Sequence, residues 1–187
     1  VRSKEAFAAS HIPGSINIPF GATLPGWAGW VLPYDHPTLL VVDEPSRMPE
    51  ATTHLLRVGF DDVQGYLEGG IDAWQVRGFE LASLRTLSVH EADRQIRDSA
   101  DAVTVLDVRT EKEWDSGHID SAVHIHGGRL QERFSDVPRD KPVLVICGSG
   151  YRGSIAASFL QREGYESVSN VMGGMSAWKA ARLPTTQ

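Results

Sequence analysis

The chain repeats itself, and the period limits what it can fold into. "VRSKEAFAASHIPGSINIP" (Val1–Pro19) aligns with "VRTEKEWDSGHIDSAVHIH" (Val108–His126). "HPTLLVVD" (His36–Asp43) aligns with "DKPVLVIC" (Asp140–Cys147), and "GGIDAW" (Gly69–Trp74) with "GGMSAW" (Gly173–Trp178). The three blocks keep their order at offsets of 107, 104 and 104 positions. Such a period is too long for a solenoid repeat and has the size of a small domain. Two copies of one fold are expected, over residues 1–83 and 84–187.

The second copy reads as strands alternating with helices. "SVHEADRQIRDS" has helical spacing, with Val89, Ala92 and Ile96 on one face and Ser88 capping through Glu91. "AVTVLDV" is a short strand, and "EKEWDSG" a helical turn stopped at Gly117. "AVHI" and "PVLVIC" are strands, the latter lacking polar alternation as a buried parallel strand does. "RGSIAASFLQREG" is a helix with Ile155, Phe159 and Leu160 inward and Gly164 at its end. "VSNVM" is a strand and "GMSAWKAA" a final helix. The predicted class is α/β, two three-layer domains with largely parallel sheets. The first copy opens at "VRS" where the second has "LDVRT", so its first helix and central strand are missing. A sheet without its central strand exposes unpaired backbone. A fragment, or a chain whose upstream part was removed, is therefore expected over a natural half-domain.

Composition excludes several function classes. The formal charge is −6, split as −5 over residues 1–83 and −1 over 84–187. That argues against nucleic-acid binding by bulk electrostatics. The longest apolar runs, "TLLVV" and "VLVI", are too short to span a bilayer, and no signal-peptide pattern opens the sequence. The single cysteine among 187 residues cannot form an internal disulfide, which fits a reducing, cytoplasmic setting.

That cysteine lies in "CGSGYRGS", Cys147–Ser154, after an apolar strand and before a helix. Ligands of open α/β sheets bind outside the carboxyl ends of the strands. Gly148 and Gly150 permit positive φ and leave the backbone bare. Successive N–H groups can then form an anion nest at a helix N-terminus, which with Arg152 should favour the thiolate. The competing reading is a buried structural cysteine, which the glycine-rich loop disfavours.

"CGSGYR", with "GHID" upstream and "GGMSAW" downstream, resembles the rhodanese homology domain; "LDVR" followed by "EKEWDSGHIDSAVHI" resembles that family's N-terminal signature. The resemblance covers essentially the whole chain, as one complete and one truncated copy. It implies sulfurtransferase chemistry through a cysteine persulfide, with no cofactor and no metal. The donor would be a small sulfur-donor anion such as thiosulfate, or a low-molecular-weight persulfide. Cys147 would be the nucleophile. The N–H groups of Gly148, Ser149, Gly150, Tyr151, Arg152 and Gly153 would cradle the persulfide, and Arg152 would bind the donor or shape the loop. The related cell-cycle phosphatases use C-x5-R; this loop is C-x4-R, one residue short for a phosphate. A second class of function is a non-catalytic interaction or redox-sensing module attached to a larger enzyme.

In the first copy Asp43 stands at the cysteine position, in "DEPSRMPEA", with two prolines and no glycine. A carboxylate forms no persulfide, prolines remove N–H donors, and Asp43, Glu44 and Glu50 would repel an anion. This copy is expected to be inactive and structural. An inactive copy before an active one resembles the C-terminal part of bacterial fusions in which a metallo-β-lactamase-fold domain precedes rhodanese domains; such a domain is a possible upstream partner by analogy. His11 and His118 occupy matching places, which points to capping or packing. "HIH" at His124–His126 could be half a metal site but lacks an evident third ligand. Asp107 and Arg109 read as a scaffold pair, with Arg109 a weaker candidate for the site mouth. Trp74 and Trp178 are expected in helix–sheet packing; Trp27 and Trp30 lie in an insertion that covers the core or forms an interface.

Overall fold

The computed structural model describes residues 1–98 and 102–187. Ser99, the last residue of the helix expected after Ser88, lies outside the described residues. The chain divides into two compact units, Val1–Ser83 and Leu84–Gln187.

In the first unit α1 (Lys4–Ala9) starts at Ser3, whose hydroxyl accepts from the Ala6 amide. The insertion forms α2 (Leu24–Val31), which buries Leu24, Trp27, Ala28 and Val31. Trp27 therefore belongs to the core, while Trp30 meets it edge-on at 5.0 Å and stays 43% exposed. Strand β1 (Thr38–Leu40), helix α3 (Met48–Leu56) and strand β2 (Val63–Tyr66) make a parallel βαβ crossover. Helix α4 (Gly70–Val76) follows. The sheet of this unit has two strands among the described residues.

The second unit is built on β3 (Arg85–Leu87), α5 (Val89–Asp98), β4 (Thr104–Asp107), α6 (Glu111–Asp115), β5 (Ala122–His124), α7 (Leu130–Arg133), β6 (Val143–Ile146), α8 (Tyr151–Arg162), β7 (Val168–Val171) and α9 (Gly174–Ala180). The five strands run parallel in the order β3-β7-β6-β4-β5. Every residue of β4, β6 and β7 is buried, as expected when helices cover both sheet faces. Leu144 and Ile146 face one way, into a cluster with Val89 and Ala92 of α5 and Met175 and Trp178 of α9. Helix α8 packs on β6 and β7. Its residues Gly153–Leu160 are all buried, so it is enclosed rather than amphipathic. β3 has no cue beyond three residues, "RTL", and the sequence alone does not reveal it.

The two units share details that the sequence repeat predicts. His11 stacks on Phe7 with ring centroids 3.9 Å apart and donates from Nδ1 to the Phe7 carbonyl. His118 stacks on Trp114 at 3.6 Å and donates from Nδ1 to the Trp114 carbonyl. Both histidines also form isolated antiparallel bridges, His11 with Ala82 and His118 with Thr186. Trp74 and Trp178 each donate from Nε1 to a carbonyl six residues on, Glu80 and Pro184. The match is incomplete, since Trp178 is buried while Trp74 is half-buried against Phe79.

Candidate active site

Cys147 follows the last residue of β6, at the carboxyl edge of the sheet, and its side chain is fully enclosed. Gly150 adopts φ +89° and starts α8, a conformation that a side chain disfavours. The turn is therefore Cys147–Gly150; Tyr151 and Arg152 already lie in the first helical turn. The Gly150 N–H donates to Cys147 Sγ at 3.1 Å. Asn170, across the sheet on β7, donates from its amide to the Gly150 carbonyl at 3.0 Å.

Gly148 is not a positive-φ residue, contrary to expectation. Its bareness serves a neighbour, because a Cβ there would stand 2.8 Å from Arg152 Nη2. Gly153 likewise leaves room for Asn170 Oδ1, which a Cβ would approach to 2.4 Å. Ser149 is exposed and Tyr151 half-buried.

The loop is held from below by α9. The Met175 amide donates to the Cys147 carbonyl at 2.7 Å and the Ser176 amide to the Gly148 carbonyl at 2.9 Å. These are first-turn N–H groups with no partner inside their own helix. Contact this close needs Gly174, since a Cβ there would lie 2.2 Å from the Cys147 carbonyl oxygen. "GGMSAW" is thus a docking device for the cysteine loop as well as a packing helix.

Arg152 is already paired, although its side chain is 24% exposed. Its Nη1 and Nη2 each donate at 2.6 Å to one carboxylate, Glu113 of α6. Glu113 also closes a capping box with Thr110, which fixes the helix that carries it. The Arg152 hydrogen bonds hold the Glu113 carboxyl at about 2, well below the usual 4.5, with Thr110 adding to the effect. Glu113 in turn raises Arg152, with a smaller contribution from Cys147. The β4–β6 register brings these parts together, because Asp107 lies beside Ile146, one residue before Cys147.

Arg109 does not reach the mouth. It is buried, binds both Asp107 oxygens, and donates to the Glu113 and Gly117 carbonyls. His124 stacks on Trp114 at 4.7 Å and donates from Nε2 to the Arg109 carbonyl. Among the described residues no group of three or more His, Cys, Asp or Glu side chains is placed to hold a metal ion. No helix among them is long and apolar enough to cross a membrane.

At the matching place in the first unit, the loop acids are paired rather than bare. Arg2 donates to Asp43 at 2.7 Å, Arg47 to Glu44 at 2.7 Å, and His54 lies 3.7 Å from Glu50. Pro45–Arg47 forms a short 3-10 turn that leads into α3.

A parallel α/β unit with a cysteine loop at the carboxyl edge of its central strand defines a class, and comparison with known proteins names it. The rhodanese-like domain profile matches residues 1–77 and 88–181, and the chain belongs to that family. It is 30% identical over 101 residues to the thiosulfate sulfurtransferase GlpE of Shewanella oneidensis, covering 54% of this chain and 98% of that protein. It is 35% identical over 88 residues to the putative sulfur carrier protein YrkF of Bacillus subtilis, covering 47% of this chain. This chain spans only about half, 48%, of that relative's length. The crystal structure of the Alr3790 protein from Anabaena sp. superposes with a TM-score of 0.50 at 30% identity, covering 54% of this chain and 81% of that one.

Proposed function

We propose that the second unit is a sulfurtransferase that carries sulfane sulfur on Cys147. The observation that carries this reading is the thiol at the end of β6 with the Gly150 N–H directed at its sulfur. A hydrogen bond from a fixed backbone donor stabilises negative charge on that atom. With thiosulfate, the Cys147 thiolate attacks the outer sulfur and the S–S bond breaks. Sulfite leaves with the bonding pair, and Cys147–S–S⁻ remains. A nucleophilic acceptor then takes the outer sulfur and regenerates the thiolate. Cys147 is enclosed, so the arriving sulfur would enter at the exposed rim of the loop, at Ser149. The names of the relatives support the same chemistry.

The first unit is assigned no sulfur chemistry in this proposal. Asp43 replaces the cysteine, Met48 aligns with Arg152 and Ala6 with Glu113. Thiol-less copy followed by thiol-bearing copy also supports the proposal that the pair serves a persulfide-handling domain of metallo-β-lactamase fold, by analogy of domain order.

Mass spectrometry of the full chain after incubation with thiosulfate or an alkyl persulfide tests the reading. An adduct of about +32 Da, one sulfur, is expected on Cys147, with thiocyanate released on adding cyanide. Cys147→Ala should abolish both. Absence of the adduct with both donors would instead favour an interaction or redox-sensing module.

A further inference from the structure

Arg152 occupies the place where a cation would greet an anionic donor, and it hydrogen-bonds Cys147, yet a carboxylate already takes two of its donors. Two parallel hydrogen bonds of 2.6 Å join it to Glu113, the geometry in which a guanidinium and a carboxylate bind most specifically. The pair carries no net charge. On another side of the turn stands Met172, apolar and 47% exposed, with its Cα 3.6 Å from where a Cβ on Gly150 would lie. Within this one chain the pair and the thiol come and go together: the first unit has Ala6, Met48 and Asp43 where the second has Glu113, Arg152 and Cys147.

We propose that Glu113 is a specificity-determining residue that sets the donor class, neutralising Arg152 so that the loop takes an organic persulfide in preference to the thiosulfate dianion. The proposal rests on the sulfurtransferase reading and deepens it. The charge count favours it. Thiolate and thiosulfate together bring three negative charges into an enclosed site, and they leave as Cys147–S–S⁻ and sulfite. An alkyl persulfide brings at most one, and none in its reactive protonated form R–S–SH: the thiolate attacks the outer sulfur, the S–S bond breaks, and the products are Cys147–S–SH and R–S⁻. An uncancelled arginine would be needed to offset the first case far more than the second. Met172, exposed and next to Gly150 through its backbone, adds apolar surface beside the turn.

The experiment compares kcat/KM for thiosulfate and for 2-hydroxyethyl persulfide, with cyanide as acceptor, in the full chain. The wild type should prefer the alkyl persulfide by about tenfold or more, as expected where a dianion meets no net positive charge. Glu113→Gln, which frees Arg152, should raise the thiosulfate/persulfide ratio about tenfold, and thiosulfate turnover should become steeply sensitive to salt. Thr110→Ala breaks the capping box but leaves the ion pair, so its ratio should stay within about twofold of wild type. A wild type that prefers thiosulfate overturns the proposal without any variant. So does a Glu113→Gln protein in which both donors decline in parallel, since that is the mark of a structural strut alone. If Cys147 acquires sulfur from neither donor, the sulfurtransferase reading itself falls. If Cys147 loads normally and the ratio does not move, only the donor assignment falls.

Discussion

Replacing Gly174 by alanine should unseat the cysteine loop without touching the thiol. Gly174 has φ +53°, and a Cβ there would lie 2.2 Å from the Cys147 carbonyl oxygen and 2.8 Å from Gly148 C and Ser149 N. Three effects combine. The left-handed backbone costs a non-glycine residue about 1–2 kcal/mol. Forcing atoms apart in a packed region costs about 1–3 kcal/mol. The Met175 and Ser176 hydrogen bonds to the loop, each worth about 1 kcal/mol, are stretched in the process. A loss of about 3–5 kcal/mol is expected, a large share of the ~5–15 kcal/mol typical of a domain. Gly164 supplies the control. Its φ is +85°, but the nearest atom to a Cβ there is Arg139 Nη1 at 3.7 Å, so Gly164→Ala should lose only the backbone term, about 1–2 kcal/mol. Urea unfolding of the full chain, with hydrogen exchange at the β6 amides to report on the second unit, measures both. Sulfur loading of Cys147 by mass spectrometry reports the loop. If Gly174→Ala is no less stable than Gly164→Ala and loads normally, α9 does not support the loop as described.

Two further outcomes follow from the same geometry. Glu113 has a folded-state value of about 2 against 4.5. Its contribution is therefore fully present above about pH 4.5 and is lost as the pH falls towards 2. Glu113→Gln should flatten that part of the acid-unfolding curve, read by circular dichroism from pH 6 to pH 2. Trp178 is buried and Trp74 is not. Trp178→Ala should cost about 3–5 kcal/mol and Trp74→Ala roughly half of that or less, measured by chemical denaturation.

The fold was legible where it is local. Helix spacing, the Ser88–Glu91 cap, which the structure forms through three hydrogen bonds, and the unalternating "VLVI" strand are read over a few neighbouring residues. The repeat extended that reach, because His11 and Trp74 served as controls for His118 and Trp178. The cysteine loop was legible through its glycines, of which Gly150 uses its positive φ and Gly148 only its bareness. What stayed hidden depends on contacts between distant segments. Glu113 and Arg152 lie 39 residues apart, and nothing in the period of either helix announces their meeting. Gly174 looked like a helix start, and its approach to Cys147 emerges only once β6 and α9 are placed. Asp107 and Arg109 were legible as a scaffold pair, which the structure forms, while sequence order alone leaves the mouth open as Arg109's lesser alternative.

The Arg2–Asp43 pair bears on whether the first unit could accommodate a thiol. Arg2 is the counterpart of Arg109, its side chain is only 11% exposed, and its Nε is held by Asp43. Asp43→Cys would remove that carboxylate and leave a mostly covered guanidinium seeking a new acceptor. The substitution would also place a cysteine beside Glu44 and Pro45, with no arginine at Met48 and no glutamate at Ala6. A single substitution to cysteine is therefore uphill in this unit, because it unpairs a covered guanidinium without supplying the partners that surround Cys147. Reproducing the surroundings of Cys147 in this unit would take a graft of the whole segment, from the acid on the first helix to the glycine-rich turn, rather than one residue.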